Sequence, residues 1–144
     1  MWRYFFYCIL LGLLVGCSGN VKLRGKVTYS DDGSPVTAGT VAFLSDGKMA
    51  RGSIQKDGTY VVGFERMKDG LPPGEYEVFI SNAFLFGEYN PVTETHDMVP
   101  LIDGKYAHHK TSGLTVSVNA RTKAYHIEVD RYTPPSRPPP RGRR

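Results

Sequence analysis

Cysteine is scarce in this 144-residue chain, with one residue at position 8 and one at position 17. With the first sixteen residues expected to be removed, only Cys17 remains, so no disulfide framework or cysteine-based zinc site is expected. Long apolar runs are missing too. The longest, Tyr4 to Val15, holds twelve largely apolar residues, against about 20 needed to cross a bilayer core. No helical period persists beyond two turns, so bundles and coiled coils are excluded. The net charge of +4 is also absent from the centre of the chain. Setting aside Arg3 and the five arginines at Arg131, Arg137, Arg141, Arg143 and Arg144, residues 17–130 hold 12 basic and 14 acidic side chains, about −2. With no basic run on the future folded surface, nucleic acid is not an expected partner.

The first sixteen residues form a distinct unit. Arg3 precedes the apolar run and Gly16 follows it, the basic start, short apolar region and small-residue exit of a secretory signal. Leu14-Val15-Gly16-Cys17 resembles the lipoprotein box of bacterial envelope proteins. That resemblance implies diacylglycerol on the Cys17 sulfur and cleavage between Gly16 and Cys17. Cys8, in mid-run, leaves with the signal. Each buried CH₂ contributes about 0.8 kcal/mol and one acyl chain binds only marginally, so two or three chains on one cysteine make a lasting anchor. Ser18, where such lipoproteins often carry an inner-membrane aspartate, leans toward the periplasmic face of the outer membrane.

Strands and turns follow. "VKLRGKVTY" alternates apolar and polar residues around Gly25, and "GTVAFLS", "KMARGSI", "TYVVGF", "LPPGEYEVFIS", "LTVSVN" and "AYHIEVD" complete seven short strands. Asp46-Gly47 signals a type I′ hairpin, in which both central residues take positive φ. Gly33 and Asp57-Gly58 mark further turns. Pro73-Gly74 suits a type II turn. The spacing predicts an all-β, seven-stranded antiparallel sandwich over residues 22–130, after a cleaved signal at 1–16 and a lipidated linker at 17–21. Residues 131–144 form a Pro/Arg-rich tail, expected to be disordered. Between Asn82 and Gly113 runs a segment too long for an ordinary loop; its apolar residues predict a flap or a short extra element.

"GKVTYSDDGSPVTAGTVAFLSDG", "GSIQKDGTY", "PPGEYEV" and "KYAHHKTSGLTVSV" resemble the transthyretin-like, carboxypeptidase-regulatory-like domains of bacterial lipoproteins, from about Gly25 to Val129. The resemblance implies a prealbumin-like (Ig-like) sandwich that is itself non-catalytic and needs no cofactor. His108-His109 stands where the family pattern would place an acidic residue and a proline. One transthyretin relative hydrolyses a ureide and ends in Tyr-Arg-Gly-Ser; this chain ends "RGRR", so that activity does not carry over.

Several residues are candidates for chemistry. His96, Asp97, His108 and His109, with Asp103, offer imidazole and carboxylate ligands for a divalent metal in a hydrolase. Adjacent histidines on an extended chain point to opposite sides, however. His126 falls on an outward strand position. Ser112 lies near His109, but no Gly-x-Ser-x-Gly elbow is present. Phe84, Phe86, Tyr89 and Tyr106 offer an aromatic surface for a protein or glycan partner. The tail's prolines favour extended polyproline II, and its arginines suit anionic phospholipid, lipopolysaccharide or cell-wall polymer. The expected role is a lipid-anchored, non-enzymatic binding or structural module. The alternatives are the metal-assisted hydrolase and an oligomeric carrier of a small ligand.

Overall fold

The structure, a computed structural model, describes residues 19–135. Gly16, Cys17, Arg137, Arg141, Arg143 and Arg144 lie outside the described residues. Among those described, no helix is long and apolar enough to cross a membrane.

All seven expected strands form. β1 (Arg24–Tyr29), β2 (Thr40–Ser45), β3 (Lys48–Ser53), β4 (Thr59–Val61) and β5 (Gly74–Ser81) come first. The long segment then adds β6 (Phe84–Asn90), β7 (Thr95–Pro100), a 3-10 turn at Gly104–Ala107 and the one-turn α1 (His109–Ser112). The chain closes with β8 (Leu114–Val118) and β9 (Ile127–Val129). One sheet has the order β4-β1-β9, the other β3-β2-β5-β8, and β6 pairs with β7 alone.

Alternation decides which faces meet. Tyr76, Val78 and Ile80 of β5 and Val41 and Phe43 of β2 are buried against Val27, Tyr29, Tyr60, Ile127 and Val129 of the other sheet. Phe43, fully buried, has the rings of Tyr60, Tyr76 and Tyr125 with centroids 6.2 to 6.3 Å away. Gly25 allows the closest approach in the core. A methyl there would meet the Tyr125 carbonyl at 1.8 Å and the Tyr60 ring at 2.7 Å, while the Tyr60 hydroxyl donates to that same carbonyl.

The Asp46-Gly47 turn has the expected geometry, with φ of 47° and 74°. At Pro73-Gly74 the type II turn is replaced by a bend that leads straight into β5. The Tyr76 hydroxyl holds it by donating to the Pro72 carbonyl at 2.7 Å.

One pairing departs from the antiparallel rule: β1 and β9 run parallel, with Val27 opposite Ile127 and Tyr29 opposite Val129. The cause is the short link after β8. It returns the chain to the end from which β1 also starts, so both strands run the same way.

Candidate functional site

The register gives the sandwich two distinct ends. At one, Val21 bridges Leu71, Gly63 bridges Gly70, and Arg24 pairs with Ala124. This proximal end is where the chain joins the body. Its loop 64–69 is organised by the Asp69 carboxylate, which accepts from the backbone N–H groups of Phe64, Glu65 and Arg66 at 2.6 to 3.1 Å. Those bonds, the Phe64 one foremost, hold the Asp69 carboxyl below the usual range. Arg66 and Lys68 flank Met67, which is 90% exposed in this loop, and Lys22, Arg24 and Lys123 stand on the adjoining segments, where the Arg24 amide donates to the Lys123 carbonyl at 3.4 Å. No basic run marks this cluster in the sequence, because three separated segments supply it.

β5 leads away from this end, from Gly74 opposite Val118 to Ser81 opposite Thr40, roughly 25 Å at about 3.3 Å per residue. The β6–β7 hairpin leaves the body at that distal end. Phe84 pairs with Pro100, Leu85 with Val99, Phe86 with Met98 and Tyr89 with His96, with a bulge between Phe86 and Tyr89. Asn90 makes the turn, its side-chain oxygen accepting from the Val92 and Thr93 amides.

Of nine large apolar side chains exposed among the described residues, six lie on this ribbon: Leu85, Phe86, Tyr89, Val92, Met98 and Val99. Phe86 is 72% exposed. Phe84, Phe86, His96 and Tyr89 form a continuous row along one face, with successive centroids 5.6, 6.1 and 5.3 Å apart. A lone two-stranded ribbon is marginal in water, and clustered exposed apolar groups mark a contact surface.

Three of the four expected surface aromatics therefore share this ribbon. Tyr106 is corrected: it is 7% exposed in the core, and its hydroxyl donates to Asp130 Oδ2 at 3.1 Å, because the 3-10 turn folds it inward rather than leaving it in a loop.

The structure also separates the candidate metal ligands. His96 sits in β7, its Nδ1 donating to the Gly87 carbonyl at 3.2 Å. His108 and His109 lie beyond the hairpin, before and within α1. They stack at 4.4 Å instead of pointing apart, since the chain turns helical between them; His108 caps α1, its Nδ1 accepting from the Lys110 amide at 3.2 Å. His109 Nδ1 meets Glu77 Oε2 at 2.6 Å. Among the described residues no three His, Cys, Asp or Glu side chains are placed to hold a metal ion, so His96 and Asp97 are not gathered with His108 and His109. Ser112 is buried and donates to the Val78 and His109 carbonyls, with no imidazole nitrogen at its hydroxyl. His126 faces outward as expected.

Arg131 opens the Pro/Arg-rich stretch, yet its side chain is held by the body. Its Nε donates to Asp31 at 2.7 Å, its Nη2 to Asp32 at 2.8 Å and Ser34 at 2.7 Å, and the guanidinium lies 3.7 Å over the Tyr29 ring. Beside it, Asp130 accepts from Lys105 at 2.6 Å and from Ser30 and Tyr106, with the Lys105 bond foremost in lowering its pKa to about 2. The Tyr132 amide then donates to the Leu101 carbonyl at 3.3 Å, and the Leu101 amide to the Ala83 carbonyl at 2.9 Å. The tail thus departs beside the base of the hairpin, at the distal end.

No family model and no curated protein matches the sequence. Among solved structures, a DUF3823 family protein from Bacteroides ovatus ATCC 8483 is similar at 22% identity over 78% of this chain and 45% of its own, with a TM-score of 0.46. BcpA*(D312A), the major pilin subunit of Bacillus cereus, is similar at 10% identity over 80% and 30%, with a TM-score of 0.43. This chain therefore spans less than half the length of either.

Proposed function

We propose that this chain is a lipid-anchored, non-catalytic β-sandwich module of the bacterial envelope, on the periplasmic face of the outer membrane, that engages a protein partner through the β6–β7 ribbon. One observation carries this: the chain joins its body at one end and presents six exposed apolar side chains at the other. Val21 stands only four positions after Cys17, about 14 Å when fully extended, so a lipid on Cys17 holds the proximal end against the headgroups. Lys22, Arg24, Arg66, Lys68 and Lys123 suit anionic phospholipid there, each worth about 1 kcal/mol near such a surface. The ribbon points away from the membrane. Its aliphatic members, Leu85, Val92, Met98 and Val99, favour a protein over a glycan, since sugars stack on aromatic rings and gain little from branched alkyl groups. Because the tail leaves beside the ribbon, the headgroup contacts first expected of its arginines fall to the proximal lysines and arginines.

Metabolic labelling with an alkynyl fatty acid tests the anchor. The wild-type chain takes up label and fractionates with membranes, whereas Cys17→Ala takes up none and is released. A Cys17→Ala chain that still labels refutes the anchor.

A further inference from the structure

We infer that the chain's own C-terminal tail is an occupant of the ribbon, with residues 133–141 lying along β6 and β7. The inference takes the ribbon as a contact surface, as proposed above, but does not require the lipid.

Position, length and charge converge on it. Among the described residues the last backbone hydrogen bond is made by Tyr132, whose amide donates to the Leu101 carbonyl at the base of the hairpin. The sequence beyond it, "TPPSRPPPRGRR", carries five prolines. A polyproline II segment advances about 3.1 Å per residue without internal hydrogen bonds, and aromatic-lined surfaces are its usual docking partners. Arg137, five residues past Tyr132, would then reach about 15 Å along the ribbon. At about 3.3 Å per residue, Glu88 lies roughly 16 Å beyond Ala83, and Asp97 roughly 13 Å before Leu101. Arg141 would reach about 28 Å, near Glu94 at the hairpin turn.

The charges are complementary. From Asn82 to Gly104 the chain contains Glu88, Glu94, Asp97 and Asp103 and no lysine or arginine, whereas residues 133–144 contain four arginines and no acid. The ribbon is two strands wide, with strand axes about 5 Å apart, so a guanidinium reaches these carboxylates around its edge while the prolines cover Phe84, Phe86 and Tyr89. Proline lacks the N–H needed to extend the sheet, so the tail lies on the ribbon's face. A partner protein must displace it.

Amide hydrogen exchange on the full chain in detergent, compared with a chain ended after Tyr132, tests this. Loss of the tail should speed exchange of the β6–β7 amides at least 5-fold and leave the two sheets unchanged, which also verifies folding. Arg137→Glu with Arg141→Glu should reproduce the effect at full length, and adding Glu88→Arg with Asp97→Arg should restore protection. Equal ribbon exchange with and without the tail overturns the assignment, as does protection that survives the charge reversal. Protection that grows with protein concentration gives the ribbon to a second copy and overturns it too. A chain that fails to take up lipid but shows the tail-dependent protection retains this assignment and loses only the anchor.

Discussion

Two aromatic clusters in this chain use similar side chains under opposite rules. Around Phe43 the rings of Tyr60, Tyr76 and Tyr125 come from β4, β5 and the link before β9, and two sheets close over them. Around Phe86 the rings of Phe84, His96 and Tyr89 come from one ribbon, and among the described residues no second layer covers it. The first cluster sits where apolar residues alternate with polar ones, so each strand has a face for the core and a face for water. In "FLF" of β6 the apolar residues are consecutive and occupy both faces. Aromatic content alone does not separate core from contact surface; what separates them is whether the sequence supplies a polar face.

The sharpest way to break this contrast is the same kind of truncation in both clusters. Phe43→Ala should cost about 3–5 kcal/mol through lost burial and an unfilled cavity, read as a large drop in denaturant midpoint. Gly25→Ala attacks the same cluster from the backbone and should cost about 1–3 kcal/mol or more, since the Tyr125 carbonyl has to move; a thermal midpoint equal to wild type would show that the core is looser than described.

Acid sharpens the contrast at the distal clasp. Asp130, with a folded pKa of about 2, and Asp32, held at about 2 foremost by its hydrogen bond from Ser34, both lie below the ordinary value of about 3.9. A depressed folded pKa gives stability that is complete above the unfolded value and is lost as pH falls from about 4 to about 2. The thermal midpoint should decline across that window, and Asp130→Asn should flatten the decline. An unchanged slope in that variant would show that the Lys105–Asp130 clasp adds nothing.

The smallest expected effect is the most informative. Phe86→Ala should move stability by no more than about 0.5 kcal/mol while reducing contact with whatever covers the ribbon. A loss as large as that of Phe43→Ala would place Phe86 in the core and remove the ribbon as a contact surface.

Much of the sandwich was readable in advance, because alternation and Asp-Gly turns are local signals. "GEYEVFIS" shows its buried face directly, and Asp46-Gly47 fixes its hairpin. The parallel neighbour of β1 was not readable, since Val27 and Ile127 lie a hundred residues apart and nothing local specifies their pairing. The β6–β7 hairpin is not legible as a hairpin because its strands lack alternation and a bulge breaks their register. Asn90-Pro91 was the available turn signal. Tyr106 and Arg131 misled for a related reason: one sits in a long irregular segment and the other opens a proline-rich tail, so composition assigned both to solvent. The ribbon's three aromatics were legible as a surface, whereas the basic proximal end was not, being assembled only by folding.

Site-specific photo-crosslinking of the full-length chain produced with membranes tests the proposed anchoring and examines the two ends together, with the photoreactive residue placed at position 67 or at position 86. Position 67 should yield lipid adducts, and position 86 should yield polypeptide adducts, to the chain's own tail or to a partner protein. Lipid adducts from position 86 and none from position 67 would mean that the body stands the other way round, with the ribbon in the membrane.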